Sequence, residues 1–210
     1  MESGGSEGRE RVGVDQKGEV VFDITRQMST SGMRIYLNGF MASGKSTVGP
    51  KVAARLGYTF LDLDRLIAVH DGRSIPDIFA EAGEERFREL ETAALQKTIE
   101  TDNLVVALGG GALVDDENRA FAKEHGRVVY LEVDPDTVLD RVGDEADQRP
   151  LLQDEGGTPL SGAAMKSRVE GMLAEREAAY TDAHATVDAT APVTEVVEEV
   201  TATVQEKEWA

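Results

Sequence analysis

No cysteine occurs anywhere in the chain. That excludes disulfides, thiolate metal sites and a cysteine nucleophile. Histidine is almost as scarce. His70, His125 and His184 stand far apart with no spacing suited to metal ligation, so they read as surface or packing residues. Long apolar runs are missing too. Runs such as Leu104–Leu108 and Val128–Leu131 fall far short of the roughly 20 residues a membrane-spanning helix needs. The opening MESGGSEGRE offers no apolar segment for a secretory signal, and its glutamates argue against an organellar transit peptide. A cytoplasmic protein without a membrane partner is expected.

Positive charge is in short supply. Against 40 Asp and Glu stand 22 Lys and Arg, a formal charge of -18. Such a field repels nucleic acid and anionic membranes, so neither is expected as a partner. It would repel polyphosphates as well, unless basic groups are gathered at one place. The carboxylates serve solubility and would also suit a salty cytoplasm. What remains, 210 residues at 40% hydrophobic, is enough for one domain with a sizeable core.

Along the chain, residues 1–32 are rich in glycine, serine and charge, with one apolar patch at Val20–Ile24; they read as a flexible N-terminal extension. From Met33 the texture changes. MRIYLN suits a buried parallel strand, a glycine-rich turn follows, and STVGPKVAARL has a helical pattern. Pro50 within it either is tolerated early in the helix or bends it. Further strands are expected at Thr59–Leu63, Asn103–Leu108, Arg127–Val133 and Ala185–Asp188. Helical stretches lie between them. One begins after an N-cap at Ser74, with Asp77 three residues on, and runs through FRELETAALQKTIE. Another opens at Pro135, a long one spans Gly162–Tyr180, and a last one Thr194–Val204. Strands alternating with helices imply a parallel sheet covered on both faces. The folded domain is taken as 33–205, with 206–210 as a tail that either packs or stays loose. Between 143 and 162 the chain is polar and aperiodic, a candidate lid over reacting phosphates.

The strongest local signal is Gly39-Phe40-Met41-Ala42-Ser43-Gly44-Lys45-Ser46, which matches G-x-x-x-x-G-K-[ST] at every fixed position. Its glycines let successive N–H groups converge on one anion, and the following helix adds its positive end. Lys45 brings a charge to the terminal phosphates of ATP, and the Ser46 hydroxyl can ligate Mg²⁺. Ala42, Ser43 and Thr47 belong to the same cradle. Asp62 and Asp64 alternate at the end of the second strand, which would send both toward the sheet's carboxyl edge. One could serve magnesium through water and the other orient an acceptor hydroxyl. Gly109-Gly110-Gly111, closing the third strand, would let a ligand approach the backbone.

Together these pieces resemble the shikimate kinases. The resemblance covers about 34–188 and keeps the family's order: GFMASGKSTVG, FLDLDRLI, GRSIPDIFAEAGEERFRELE, VVALGGGA, RPLL and REAAY. It implies a three-layer α/β/α P-loop kinase fold like that of the nucleoside-monophosphate kinases, with a central parallel sheet of about five strands and a mobile lid. It implies ATP-dependent phosphorylation of the 3-hydroxyl of shikimate, a step of aromatic amino acid biosynthesis, with Mg²⁺, by a monomer. By that resemblance Asp62 stands near Mg²⁺, while Asp64 contacts the acceptor hydroxyls and is the base. Arg88 and Arg176 hold the carboxylate, and Glu91 orients Arg88. Gly109, Gly110 and Gly111 offer backbone contacts to the ring. Arg149 is the lid arginine that moves onto the phosphates. Arg141 corresponds to an adenine-stacking arginine, with one extra residue in its spacing to RPLL. The chemistry agrees on its own terms, since a planar guanidinium matches a carboxylate in two-point geometry. The alternative is another small-molecule kinase on the same scaffold, acting on gluconate or a nucleotide; gluconate kinases share the P-loop and fold but lack the combination of LDLD, FRELE and GGG. A non-catalytic ATP-binding module would leave the aspartate pair and the arginines without a purpose.

Overall fold

A computed structural model describes residues 12–14, 20–22, 32–143, 149–154 and 156–206. The chain divides into two compact units, Met1–Ser31 and Gly32–Ala210. In the first, β1 (Val12–Val14) pairs antiparallel with β2 (Val20–Phe22), Val12 opposite Phe22. The rest of the stretch read as a flexible extension lies outside the described residues, apart from Gly32. So do Trp209 and all of the 206–210 tail except Glu206.

In the second unit five strands form one parallel sheet in the order β4-β5-β3-β6-β7. They are β3 (Arg34–Asn38), β4 (Thr59–Asp62), β5 (Leu104–Ala107), β6 (Arg127–Glu132) and β7 (Ala185–Asp188). Burial follows position in the sheet. Ile35, Tyr36 and Leu37 on central β3 are 0% exposed, while edge strands β4 and β7 keep exposed residues at both edges of the sheet. A central strand covered on both faces needs an unbroken apolar run, which is what RIYLN supplies before its terminal Asn38. Among the described residues seven helices cover the sheet: α1 (Lys45–Leu56), α2 (Leu63–Asp71), α3 (Ile75–Lys97), α4 (Asp116–His125), α5 (Pro135–Val142), α6 (Gly162–Thr181) and α7 (Val193–Glu206). One apolar cluster joins Ile35, Leu37, Val129 and Leu131 to α1, α5 and α7. The other joins Tyr36, Val106 and Val128 to α2, α3 and α4. Helices on both faces of a parallel sheet make the expected three-layer α/β/α architecture. Among the described residues no helix is long and apolar enough to cross a membrane.

Three local expectations need correction. The second strand stops at Asp62, short of Leu63, because the Asp62 carboxylate caps α2 by accepting from the Arg65 N–H at 3.2 Å. Asp64 therefore sits in the first turn of a helix, and the strand-alternation argument for its direction fails. The helix begun by Ser74 does form, with the Ser74 hydroxyl accepting from the Asp77 N–H at 3.2 Å, but its backbone breaks at Gly83 (φ 82°, ψ 169°). Its last residues, Thr98–Glu100, tighten into a 3₁₀ turn. Pro50, by contrast, leaves α1 continuous from Lys45 to Leu56; the cost is that the Ser46 carbonyl has no N–H four residues on.

Of the segment read as a lid, residues 144–148 and 155 lie outside those described. The rest is built around Asp154, whose Oδ1 accepts from the N–H groups of Gly156 and Thr158, both at 2.9 Å. Leu160 N–H bonds back to the Leu152 carbonyl at 2.9 Å, and Leu152 is fully buried. β3 has β5 on one side and β6 on the other; the chain changes sides of β3 between β5 and β6, and a crevice opens there at the carboxyl ends of the strands.

Candidate active site

The glycine-rich loop fills that crevice. Gly39 has φ 144°, and a Cβ there would lie 2.6 Å from the Leu131 carbonyl oxygen and 2.9 Å from Ser43 Oγ. Only glycine fits. Gly44, at φ 96°, opens α1 without a side-chain cap, so the first helical N–H groups stay available for an anion. Ala42 takes a positive φ of 59°, uncommon for a residue with a side chain.

Lys45 is buried at the loop's centre. Its ammonium donates to the carbonyls of Gly39 (2.7 Å) and Phe40 (2.8 Å) and to Ser43 Oγ (3.2 Å). Burial pulls its pKa down to about 8 against the opposing pull of Asp64 and Asp62. Ser46 Oγ donates to Asp62 Oδ2 at 2.6 Å. A cavity of about 510 Å³ opens here, lined by Ala42, Ser43, Gly44, Lys45, Ser46, Thr47, Asp62, Asp64, Gly110, Arg141 and Arg149. Gly39 does not line it; its carbonyl serves Lys45 instead. Arg141, from the last turn of α5, is fixed by the carbonyls of Ala42 (3.2 Å) and Ala189 (2.7 Å).

A second cavity of about 270 Å³ is lined by Asp64, Arg88, Glu91, Gly109, Gly110, Gly111, Arg149 and Arg176. It brings together side chains from α2, α3 and α6 that are up to 112 positions apart in sequence (Asp64 to Arg176). Arg88 Nη1 donates to Glu91 Oε2 at 2.7 Å, and Nη2 to Glu84 Oε1 at 2.9 Å. Arg176 reaches the Gly110 carbonyl only loosely, at 3.4 Å; the Tyr180 hydroxyl holds the same oxygen at 2.6 Å. Two of the glycines leave room for these side chains as they stand. A methyl at Gly109 would collide with Glu91 Oε1 and Asp64 Oδ1, and one at Gly111 with the Arg88 guanidinium. Asp64, Gly110 and Arg149 line both cavities.

Two buried carboxyl oxygens in the second cavity, Asp64 Oδ1 and Glu91 Oε1, have no hydrogen-bond partner. Burial, with Asp62 adding to it, raises the Asp64 pKa, while Lys45, Arg88 and Arg149 oppose the rise. Burial likewise pushes Glu91 up to about 7 despite the Arg88 guanidinium. The stability consequence has a definite sign. With the folded value above the unfolded 4.5, the contribution of Glu91 is complete below pH 4.5 and is lost as pH rises through about 7. Across that window the wild type should lose stability with rising pH relative to Glu91→Gln, by at most about 1.4 kcal/mol per pH unit. Denaturant melts of both proteins from pH 5 to 8 check this; parallel curves would refute it.

Sequence reasoning missed the apolar parts of both cavities. Ala189, Ala191, Val193 and Val196 border the first, and Met41, Ile75, Phe79, Phe87 and Leu151 the second. Their one signal was position: Ala189 and Ala191 directly follow the last strand, at the sheet edge where ligands collect.

A phosphate cradle at the carboxyl edge of a five-stranded parallel sheet, sharing Asp64 and Arg149 with a pocket carrying two further guanidinium groups, defines a P-loop kinase of small molecules. The family profile for shikimate kinase matches residues 41–205. A shikimate kinase of Salinibacter ruber is 64% identical over 165 residues, 79% of this chain and 81% of that one. The solved structure of an Acinetobacter baumannii shikimate kinase in complex with shikimate is 33% identical, covering 86% of this chain and 97% of that one with a TM-score of 0.76. A gluconokinase from Sinorhizobium meliloti is 20% identical, covers 83% of this chain and 93% of that one, and has a TM-score of 0.53, a likeness of fold alone. The chain belongs to the shikimate kinase family.

Proposed function

We propose that the chain transfers the γ-phosphoryl group of ATP to the 3-hydroxyl of shikimate, yielding shikimate 3-phosphate and ADP. The observation that carries this reading is the position of Asp64, on the wall common to the phosphate cavity and the arginine-lined one. A carboxylate there can align a hydroxyl with the phosphate it attacks. The Acinetobacter baumannii relative whose structure holds shikimate supports the same acceptor.

Arg88 and Arg176 grip the acceptor carboxylate, the first held in place by Glu91 at 2.7 Å. Asp64 receives the hydroxyl proton late in the transfer. Lys45 and Arg149 stabilise charge on the transferring group, and Arg141 borders the adenine. Phosphoryl transfer asks for little else, because positioning and electrostatics supply nearly all the acceleration. The oxygen donors suit Mg²⁺ as well. Ser46 Oγ and Asp62 Oδ2 lie 2.6 Å apart on the cavity wall, and a hard cation that keeps several waters needs only one or two such protein ligands. When bound it supplies charge neutralisation at the phosphate oxygens. Arg149 and Leu151, from the described part of the expected lid, border the cavities, and excluding water there suppresses idle ATP hydrolysis. One chain supplies all the residues named here, which supports a monomer.

A coupled assay of ADP release with shikimate, gluconate and nucleoside monophosphates tests the reading. Shikimate alone should drive turnover; equal or greater rates with gluconate or a nucleotide would overturn it.

A further inference from the structure

Helix α3 is interrupted once, at Gly83. The backbone there takes φ 82° and ψ 169°, a conformation open to glycine and to essentially no other residue. Crowding does not impose it, for a methyl group at Gly83 would meet no atom within 4 Å. The torsion angles alone demand glycine.

The break divides one wall of the acceptor pocket. Ahead of it stand the apolar Ile75 and Phe79; beyond it stand Phe87, Arg88 and Glu91. Each arm has its own anchor. Ile78 on the first is fully buried, and Glu81 is tied to Arg73 at 3.2 Å. On the second, Phe87, Glu91 and Leu95 are buried. In an unbroken helix, positions 79 and 87 would be separated by about 12 Å along the axis. Yet the rings of Phe79 and Phe87 lie 4.9 Å apart between centroids. The interruption folds the two arms toward each other.

We propose that Gly83 is a positioning residue for phosphoryl transfer: by breaking α3 it sets the apolar wall of Ile75 and Phe79 against the acceptor ring that Arg88 grips. This rests on the assignment of that cavity to shikimate. A side chain at 83 forces the arms toward a different angle and loosens the pocket without touching the phosphate cradle.

Steady-state kinetics of Gly83→Ala test it. The Michaelis constant for shikimate should rise about tenfold, the equivalent of roughly 1.4 kcal/mol, while that for ATP stays within about twofold. Gly57→Ala is the control. Gly57 ends α1 at φ 69°, a methyl there would meet nothing within 4 Å, and it lines neither cavity. That variant should lose some stability for a milder torsional reason, since φ 69° and ψ 30° lie in the left-handed helical region, and keep its shikimate constant. Phe79→Ala, which removes the ring that the break sets against the acceptor, should also raise the shikimate constant and leave that for ATP within about twofold, and it carries the test if Gly83→Ala does not fold. A folded Gly83→Ala or Phe79→Ala variant with an unchanged shikimate constant, or with shikimate and ATP constants raised together, would overturn the positioning role. A wild type without shikimate-dependent turnover would instead remove the acceptor assignment beneath it.

Discussion

Replacing Asp64 with asparagine should leave nucleotide binding intact and cut turnover by about a thousandfold, within the range that loss of a positioned general base produces. The substitution is nearly isosteric, so the pocket keeps its shape and Gly109 still has room. What disappears is the proton acceptor. Partial burial, with Asp62 adding to it, raises the Asp64 pKa, while Lys45, Arg88 and Arg149 pull the other way. A raised pKa makes the carboxylate a stronger proton acceptor, and it stands where the two cavities meet. An amide there can accept a hydrogen bond from the hydroxyl but cannot take its proton. Turnover numbers measured beside the affinity for a fluorescent ATP analogue decide the matter. Turnover within a few-fold of wild type would show that the acceptor proton leaves by another route.

Arg88→Ala should raise the Michaelis constant for shikimate about a hundredfold, since charge-assisted hydrogen bonds are each worth roughly 1.5–3 kcal/mol, and should leave that for ATP nearly unchanged. A second consequence must be kept apart from the first. Glu91 is 1% exposed and Arg88 is paired with it at 2.7 Å, so truncating the arginine strands a buried carboxyl. The carboxyl, already raised to about 7, is pushed higher without the guanidinium and folds in its neutral form, so the loss is that of a charge-assisted hydrogen bond, about 1.5–3 kcal/mol. At alkaline pH, where the stranded Glu91 must ionise, the double variant Arg88→Ala with Glu91→Gln should be more stable than the single one, and it recovers none of the lost shikimate affinity. If the shikimate and ATP constants rose equally in the single variant, the arginine would be a structural strut and not a carboxylate grip.

The legible part of the site was the part written in short spacing. Gly39, Gly44, Lys45 and Ser46 fall within eight consecutive positions, and their geometry follows from local backbone demands. Central strands were legible for a similar reason, because burial on both faces leaves an apolar run with no alternation to misread. Edges and junctions were not. Asp62 does end a strand, yet its capping of α2 turns Asp64 from a strand residue into a helical one. The residue still lines the expected cavity, by a route that alternation does not describe. Helices α2 and α4 leave little mark in the sequence; α4, with polar residues such as Asp116, Glu117, Asn118 and Arg119, has few apolar positions with which to declare a period. The break at Gly83 was invisible, since one glycine in a helical pattern is usually tolerated. Long-range ties were out of reach altogether. Arg119 bonds to Asp182, 63 positions away, at 3.1 Å and to the Leu113 carbonyl at 2.8 Å, and Lys123 meets the same aspartate. No local rule announces that this knot joins the loop after the three glycines to the end of the helix carrying Arg176.

The ammonium of Lys45, moored to the carbonyls of its own loop, has a kinetic meaning. A long flexible side chain usually forfeits up to about 2 kcal/mol of rotamer freedom when a ligand pins it. Here folding has already frozen those torsions, so an incoming nucleotide needs only to exchange dipoles for phosphate oxygens around a charge that scarcely moves. The same exchange runs backward when ADP departs, and the loop's oxygens are waiting to take the lysine back.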